Sequence, residues 1–172
     1  MTIPTYKPTH PDLFVVAFGN EGEFRSSLKA VKAFEKDEIL CHITGTTKAK
    51  IAYTSVQTGK GPDDHIELNS DLVYANHSCE PSTEWNLSSK NSDEWTVRAL
   101  KKIEVGDDIT FFYPCTEWDM TQPFECFCGA PSCLGKVRGA KYLDLADMQK
   151  RCYINPWIIE LAEERGPVKS TS

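Results

Sequence analysis

The chain has 172 residues, 40% of them hydrophobic and 26% charged, with a formal net charge of −6. That length predicts one domain. The negative balance argues against a surface built to neutralise phosphates, so no direct nucleic-acid partner is expected, while cationic partners such as Lys- and Arg-rich peptides are compatible with it. No apolar run approaches the roughly 20 residues that a membrane span requires, so no membrane contact is expected. Met1 to Thr9 is polar and Pro-rich, without the basic-then-apolar pattern of a secretory signal.

Phe14 to Phe18 is a short β-rich apolar run that enters the loop Gly19-Asn20-Glu21-Gly22. Phe24 to Ala33 is less periodic. Ala33 to Glu38 reads as a turn before a strand over Ile39 to Ile43. Ile51 to Gln57 and His65 to Leu68 are strand-like and flank the turn signal Gly59-Lys60-Gly61-Pro62-Asp63-Asp64. Trp95 to Leu100 alternates like a half-buried strand, and Ile109 to Tyr113 reads as another, stopped by Pro114. Beyond that the period changes. Leu143 to Cys152 and Pro156 to Glu164 have helical spacing, the second with Asn155 as N-cap and Pro156 in the first turn. Its apolar stripe of Trp157, Ile158, Ile159 and Leu161 reads as core. Many short strands, few helices and no repeats predict an α+β domain that is mostly β.

Seven cysteines is an odd count with no even framework of spacings, which favours metal ligation in a reducing compartment over disulfides in a secreted domain. The expectation is therefore an intracellular protein, in nucleus or cytoplasm. Cys126, Cys128 and Cys133 have the spacing C-x-C-x4-C, tight enough for three thiolates to converge on one ion. A tetrahedral Zn²⁺ needs a fourth ligand, and Cys79 in Tyr74-Ala75-Asn76-His77-Ser78-Cys79 is the candidate. Four sulfurs leave no open position, so the site is structural. Cys41, Cys115 and Cys152 remain as spare thiols. Taken alone, Asn76-His77 reads equally well as an ordinary polar turn, and Tyr113 as a half-buried packing residue.

In this order, Asn-His-Ser-Cys-x-Pro at 76–81, Gly-Asp-Asp-Ile-Thr-Phe-Phe-Tyr at 106–113 and Cys-x-Cys-x4-Cys at 126–133 resemble the SET-domain methyltransferases that carry a post-SET zinc motif. The chain is similar to a small stand-alone SET protein of a kind found in fungi, without a cysteine-rich pre-SET region. The resemblance implies a tail over 1–12, the SET domain over 13–118, a post-SET segment over 119–139 and a C-terminal helical extension over 140–172. It implies a knot-like core of short strands. It also implies S-adenosylmethionine on one face, a lysine-bearing protein or peptide such as a histone tail on the other, and a narrow channel between them.

Residue by residue, the resemblance makes Tyr113 the active-site hydroxyl and Phe111, Phe112 and Tyr113 the walls of the substrate channel. Gly22, Glu23, Phe24, Tyr74, Asn76 and His77 would contact the cofactor, with Phe127 or Leu134 covering its adenine side. Cys79, Cys126, Cys128 and Cys133 would hold one zinc. Phe111, two places before Tyr113, implies di- or trimethylation over strict monomethylation. The activity implied is protein-lysine N-methylation. The alternatives are an inactive SET module that binds a peptide or partner, and a small-molecule amine methyltransferase. Two positions depart from the family pattern. Gly19-Asn20-Glu21-Gly22 is one residue longer between its glycines and more acidic than usual, and Ser82 stands where an Asn commonly follows the Pro.

Overall fold

A computed structural model describes residues 6–20 and 25–169. Within them the strands are β1 (Phe14–Ala17), β2 (Ser27–Ala30), β3 (Ile39–His42), β4 (Thr47–Ala49), β5 (Val56–Gln57), β6 (His65–Glu67), β7 (Asn76–His77), β8 (Thr83–Asn86), β9 (Thr96–Ala99), β10 (Thr110–Phe111), β11 (Phe124–Glu125) and β12 (Lys136–Val137). Two helices follow, α1 (Leu145–Gln149) and α2 (Pro156–Arg165).

The strands form small sheets, not one large one. β3-β9-β8 and β4-β6-β5 are three-stranded and antiparallel, and β1-β2 and β11-β12 are hairpin-like pairs. β7 and β10 form a parallel pair, with Asn76 beside Thr110 and His77 beside Phe111. No hairpin can make a parallel pair, so the chain must travel out and back between them. That excursion is β8 and β9, whose inward residues Thr83, Trp85, Val97 and Ala99 are fully buried. On the same register Glu84 lies opposite Arg98 and accepts from its Nε at 2.9 Å.

Several predicted elements differ in extent. The strand expected over Ile51 to Gln57 shortens to β5, because Ser55 turns the chain. Its Oγ donates to Ala52 C=O at 3.0 Å and accepts from Ala52 N–H at 2.8 Å, replacing ladder bonds with a local side-chain bridge. The aperiodic stretch after Phe24 contains β2, whose Leu28 and Ala30 alternate inward. The helix expected over Leu143 to Cys152 is only α1, capped by Asp144, whose Oδ1 accepts from Ala146 N–H at 2.9 Å.

α2 starts after Asn155 as predicted, but Asn155 makes no cap bond. Its side chain is buried and reaches back into the core. Oδ1 accepts from Leu87 N–H at 2.8 Å, and Nδ2 donates to the carbonyls of Trp85 and Cys115, both at 3.0 Å. Trp157 and Ile158 of α2 are buried, and Trp157 Nε1 donates to Thr116 C=O at 2.9 Å. The C-terminal helices are thus part of the same core. At the other end, residues 6–10 are tied down instead of trailing. Asp71 is buried and accepts from Tyr6 Oη at 2.6 Å, Thr9 N–H at 3.0 Å and His10 N–H at 2.8 Å.

Candidate active site and metal centre

The parallel pair β7–β10 sets the site. Strand alternation sends Phe111 and Tyr113 to one side and Phe112 to the other. Phe111 stacks on Trp85, with ring centroids 4.0 Å apart at 16°. Tyr113 begins a short 3-10 turn and packs 4.7 Å from Phe111. Its hydroxyl donates to Ala75 C=O at 3.1 Å, and Tyr113 lines a cavity of about 830 Å³. Burial, reinforced by Tyr53 and Glu117 nearby, pushes the Tyr113 phenol up, so it stays neutral and serves as a fixed dipole, not a base.

Phe112 corrects the expected channel wall. It is fully buried, borders neither cavity, and packs against the His77 ring at 5.4 Å with Arg151 above it. The opposite phase of the strand is the reason.

His77 sits between the two halves of the site. Its Nδ1 accepts from Tyr113 N–H at 3.1 Å, while its Nε2 lies 3.3 Å from Cys79 Sγ. Burial, helped by Arg151, pulls the His77 pKa down to about 4, so the ring is neutral. Asn76 is exposed at the cavity rim, and its Nδ2 donates to Ser26 C=O at 2.8 Å, tying β7 to the strand after the glycine loop. Ser82 carries its own network. Its Oγ donates to Asp108 C=O and accepts from Thr110 N–H, both at 2.9 Å, and its N–H donates to Thr110 Oγ1 at 3.0 Å. A hydroxyl therefore holds β10 in place where a carboxamide was expected.

The four predicted ligands converge. One sulfur each from Cys79, Cys126, Cys128 and Cys133 lies within 4.8 Å of the others. Leu134 N–H donates to Cys79 Sγ at 3.3 Å and Gly135 N–H to Cys133 Sγ at 3.4 Å, the contacts that favour thiolates. Burial raises the Cys79 and Cys126 thiols. Burial would raise Cys128 too, but backbone N–H groups of Ala130 and Cys79 outweigh it and bring that thiol to about 7. Four thiolates this close repel one another unless a cation shares their charge, and four sulfurs with this spacing fit one tetrahedral zinc.

The remaining predicted cofactor contacts divide. Phe127 is 92% exposed and borders both the large cavity and a second one of about 680 Å³. The two cavities share Asn76, His77, Phe127 and Cys128. Leu134 borders neither. Its side chain packs on the core and its amide serves Cys79, so it supports the metal cluster and does not cover a ligand. Tyr74 also borders neither cavity. It joins an aromatic cluster, 5.9 Å from Tyr6 and 5.6 Å from Phe18. Gly22, Glu23 and Phe24 lie outside the described residues.

Residues that the motifs did not single out also line the large cavity, Tyr53 and Glu117 among them. Tyr53 comes from the turn before β5, and Glu117 stands one turn after Tyr113. The signal for Glu117 was its spacing of four from the expected active-site tyrosine, which puts both side chains on one side of a turn.

The SET domain family matches residues 25–114, which hold Asn76, His77 and Tyr113. The chain belongs to that family. The protein is similar to the methyltransferase flvH of Aspergillus flavus, 44% identical over 92% of this chain and 86% of that protein. It is similar over shorter stretches to the histone-lysine N-methyltransferase ash1 of Drosophila melanogaster, 31% identical over 44% of this chain. The H3 lysine-36 specific histone-lysine N-methyltransferase of Eremothecium gossypii is 30% identical over 56% of it. The chain spans 4% and 14% of those two proteins. Among solved structures, KRYPTONITE in complex with mCHG DNA and SAH superposes with a TM-score of 0.52 at 18% identity, over 72% of this chain and 29% of that one, a likeness of fold. The protein is a SET-domain methyltransferase with a four-cysteine centre behind its site. No helix among the described residues is long and apolar enough to cross a membrane.

Proposed function

We propose that this SET-domain protein transfers methyl groups from S-adenosylmethionine to a lysine side-chain amine of a protein. The observation that carries this reading is the parallel pair that sets Tyr113 beside Asn76-His77 at a shared cavity edge, with a neutral phenol lining an aromatic-walled space.

The residues present suit the cofactor. Asn76 and His77 offer amide and backbone groups at the junction of two cavities, and the exposed ring of Phe127 offers a face for a heterocycle. When bound there, S-adenosylmethionine supplies an electrophilic methyl group. The chain's own part is to align and dehydrate the acceptor. Phe111 and Tyr113 would wall off water from the amine, which lowers the cost of losing its proton. The Tyr113 oxygen, held by Ala75, would orient the amine's remaining N–H bonds.

A second reading, transfer to a small-molecule amine, is favoured by one feature. An extended peptide joins a protein by pairing with a free strand edge. The outer edge of β5 beside the cavity is already laced to the segment after Tyr113. Gln57 N–H donates to Glu117 Oε1 and Trp118 N–H donates to Gln57 Oε1, both at 2.9 Å.

Calorimetric titration of zinc-loaded protein with S-adenosylmethionine and its demethylated product, followed by labelled-methyl transfer to lysine peptides and to free amines, tests both readings. Micromolar binding that weakens at least tenfold in Asn76→Ala, with label on peptide lysine, is expected. Label on free amines alone would overturn the protein-lysine reading in favour of the second. Folded, zinc-loaded protein without cofactor binding would overturn both and leave a peptide- or partner-binding module.

A further inference from the structure

The large cavity holds one carboxylate that the reading above does not use. Glu117 N–H donates to Tyr113 C=O at 3.0 Å, so the two residues sit one turn apart and both line the cavity. Both hydrogen bonds to the Glu117 carboxylate go to Oε1, from Gln57 N–H at 2.9 Å and from Thr116 Oγ1 at 3.1 Å. Among the described residues no hydrogen bond reaches Oε2, and no Lys, Arg or His forms an ion pair with Glu117.

We infer that Glu117 recruits the methyl-accepting amine into the cavity as its ammonium ion, through Oε2; the inference rests on the amine-transfer reading proposed above.

Three considerations support it. First, a mostly covered carboxylate is ordinarily paired, because a lone charge in a low-dielectric site is costly. Among the described residues Glu117 has no cationic partner, whereas an incoming ammonium would be one. Secondly, edge capping alone does not require a charge. A glutamine would accept the same two bonds through its carbonyl oxygen, so the negative charge is surplus to that role. Thirdly, the location suits a hand-over. Glu117, Tyr53, Tyr113 and Phe111 line one cavity, so an ammonium held at Oε2 has the Tyr113 hydroxyl and the aromatic wall as its next contacts.

The ion pair must be broken before reaction, since only the neutral amine has a lone pair with which to form the new C–N bond. One N–H bond of the ammonium would break and an O–H bond form at Oε2, with the proton passing later to water. Burial, partly offset by the bonds from Gln57 and Thr116, brings the Glu117 carboxyl up to about 7, a value at which it can hold either state. The titratable groups around it are the Tyr113 and Tyr53 phenols and the Cys115 thiol, with Arg25, Asp119, Glu125, His77, Cys126 and Cys128 elsewhere on the cavity wall.

The test uses binding, measured by ligand-observed NMR on zinc-loaded protein saturated with S-adenosylhomocysteine, at pH 8. The probes are n-butylamine, N-acetyl-lysine methylamide, which carries peptide bonds on both sides, and neutral n-butanol. We expect wild-type protein to bind at least one amine tenfold or more tightly than n-butanol, and Glu117→Gln to lose at least tenfold of that preference with its affinity for S-adenosylhomocysteine unchanged. A stronger signal from the lysine derivative assigns the ammonium to a peptide, and one from n-butylamine assigns it to a free amine. An undiminished preference in Glu117→Gln overturns the inference and leaves amine transfer standing. No preference for either amine in wild-type protein overturns the inference together with the reading beneath it.

Discussion

The amide of Tyr113 donates to Nδ1 of His77 at 3.1 Å. An imidazole that accepts at Nδ1 carries its proton on Nε2, and that nitrogen is 3.3 Å from the sulfur of Cys79. One neutral ring therefore joins the backbone of the cavity tyrosine to a metal ligand, and orients both. Partners of this kind around metal ligands tune affinity by 10- to 100-fold. His77→Ala should lower zinc affinity by about that factor, read by chelator competition. It also removes ring contacts to Phe112, Tyr113 and Phe124, so cofactor affinity should fall in fully zinc-loaded protein as well. Unchanged zinc affinity would mean that Nε2 does not support the sulfur.

Removing zinc should unfasten a defined part of the molecule. Structural zinc contributes on the order of 10 kcal/mol in small zinc modules. Here the ion would join Cys79, next to β7, to the segment carrying β11 and β12. Chelation, or Cys128→Ser, should abolish amide-exchange protection over roughly residues 124–137 and expose Phe124, while β3, β8 and β9 keep theirs. Uniform loss of protection would show instead that the cluster holds up the entire fold.

Phe111 lies flat against Trp85 and borders the cavity. Phe111→Tyr would add a hydroxyl at the place where successive methyl groups need room. Intact-mass analysis of product should show a shift toward monomethyl species relative to wild type. The same distribution from both proteins would sever the link between this ring and product number.

Asn155 is wholly buried and satisfies three backbone groups, the N–H of Leu87 and the carbonyls of Trp85 and Cys115. Each buried polar group left unpaired costs about 1–3 kcal/mol. Asn155→Ala should therefore lower unfolding free energy by roughly 3 kcal/mol in urea, with Asn155→Asp also destabilising because the Trp85 carbonyl loses the carboxamide donor and the Cys115 carbonyl keeps only the Asn155 backbone N–H. A loss below about 1 kcal/mol would mean that water fills the place of the carboxamide.

Glu117 gives a pH signature of stability. Its folded pKa is about 7 against an ordinary value of 4.5, raised chiefly by burial. Below about pH 4.5 the carboxyl is protonated in folded and unfolded chains alike and costs nothing. Between 4.5 and 7 the unfolded chain releases this proton first, so wild-type stability falls as pH rises, and above 7 the deficit is constant. Glu117→Gln removes the dependence. The difference between variant and wild type should grow by up to roughly 3 kcal/mol from pH 4.5 to pH 8, as read by urea melts. A flat difference would show that the carboxylate is well solvated.

The sequence was most informative where chemistry restricts residue choice. Cys126, Cys128 and Cys133 announce a metal centre through spacing alone, and Cys79 joins them in space. Apolar runs beside turn signals located β1, β3 and β10, and alternation located β9, each within a residue or two. Alternation could not find β8, where Thr83, Glu84 and Trp85 are all buried. Phe112 was misplaced because the motif names three adjacent aromatics, whereas a strand shows only alternate ones to any one side. Asn155 was legible as a helix boundary but not as a core bridge, since its partners lie 40 to 70 residues away. Glu117 had only its spacing of four from Tyr113 to mark it, and that cue says nothing of burial, which comes from β5, far earlier in the chain.

The parallel pair and the thiol cluster also govern when the site comes into being. His77 meets Tyr113 across 36 positions, and Cys79 meets Cys126 across 47. Closing loops of that length is slow compared with forming a turn or a hairpin, and neither closure is helped by local contacts. During synthesis Asn76 and His77 leave the ribosome well before Tyr113, and Tyr113 before Cys133. No growing or truncated chain that stops short of Cys133 can complete both the parallel pair and the four-thiol cluster, so the site would be assembled only once most of the domain is available to fold.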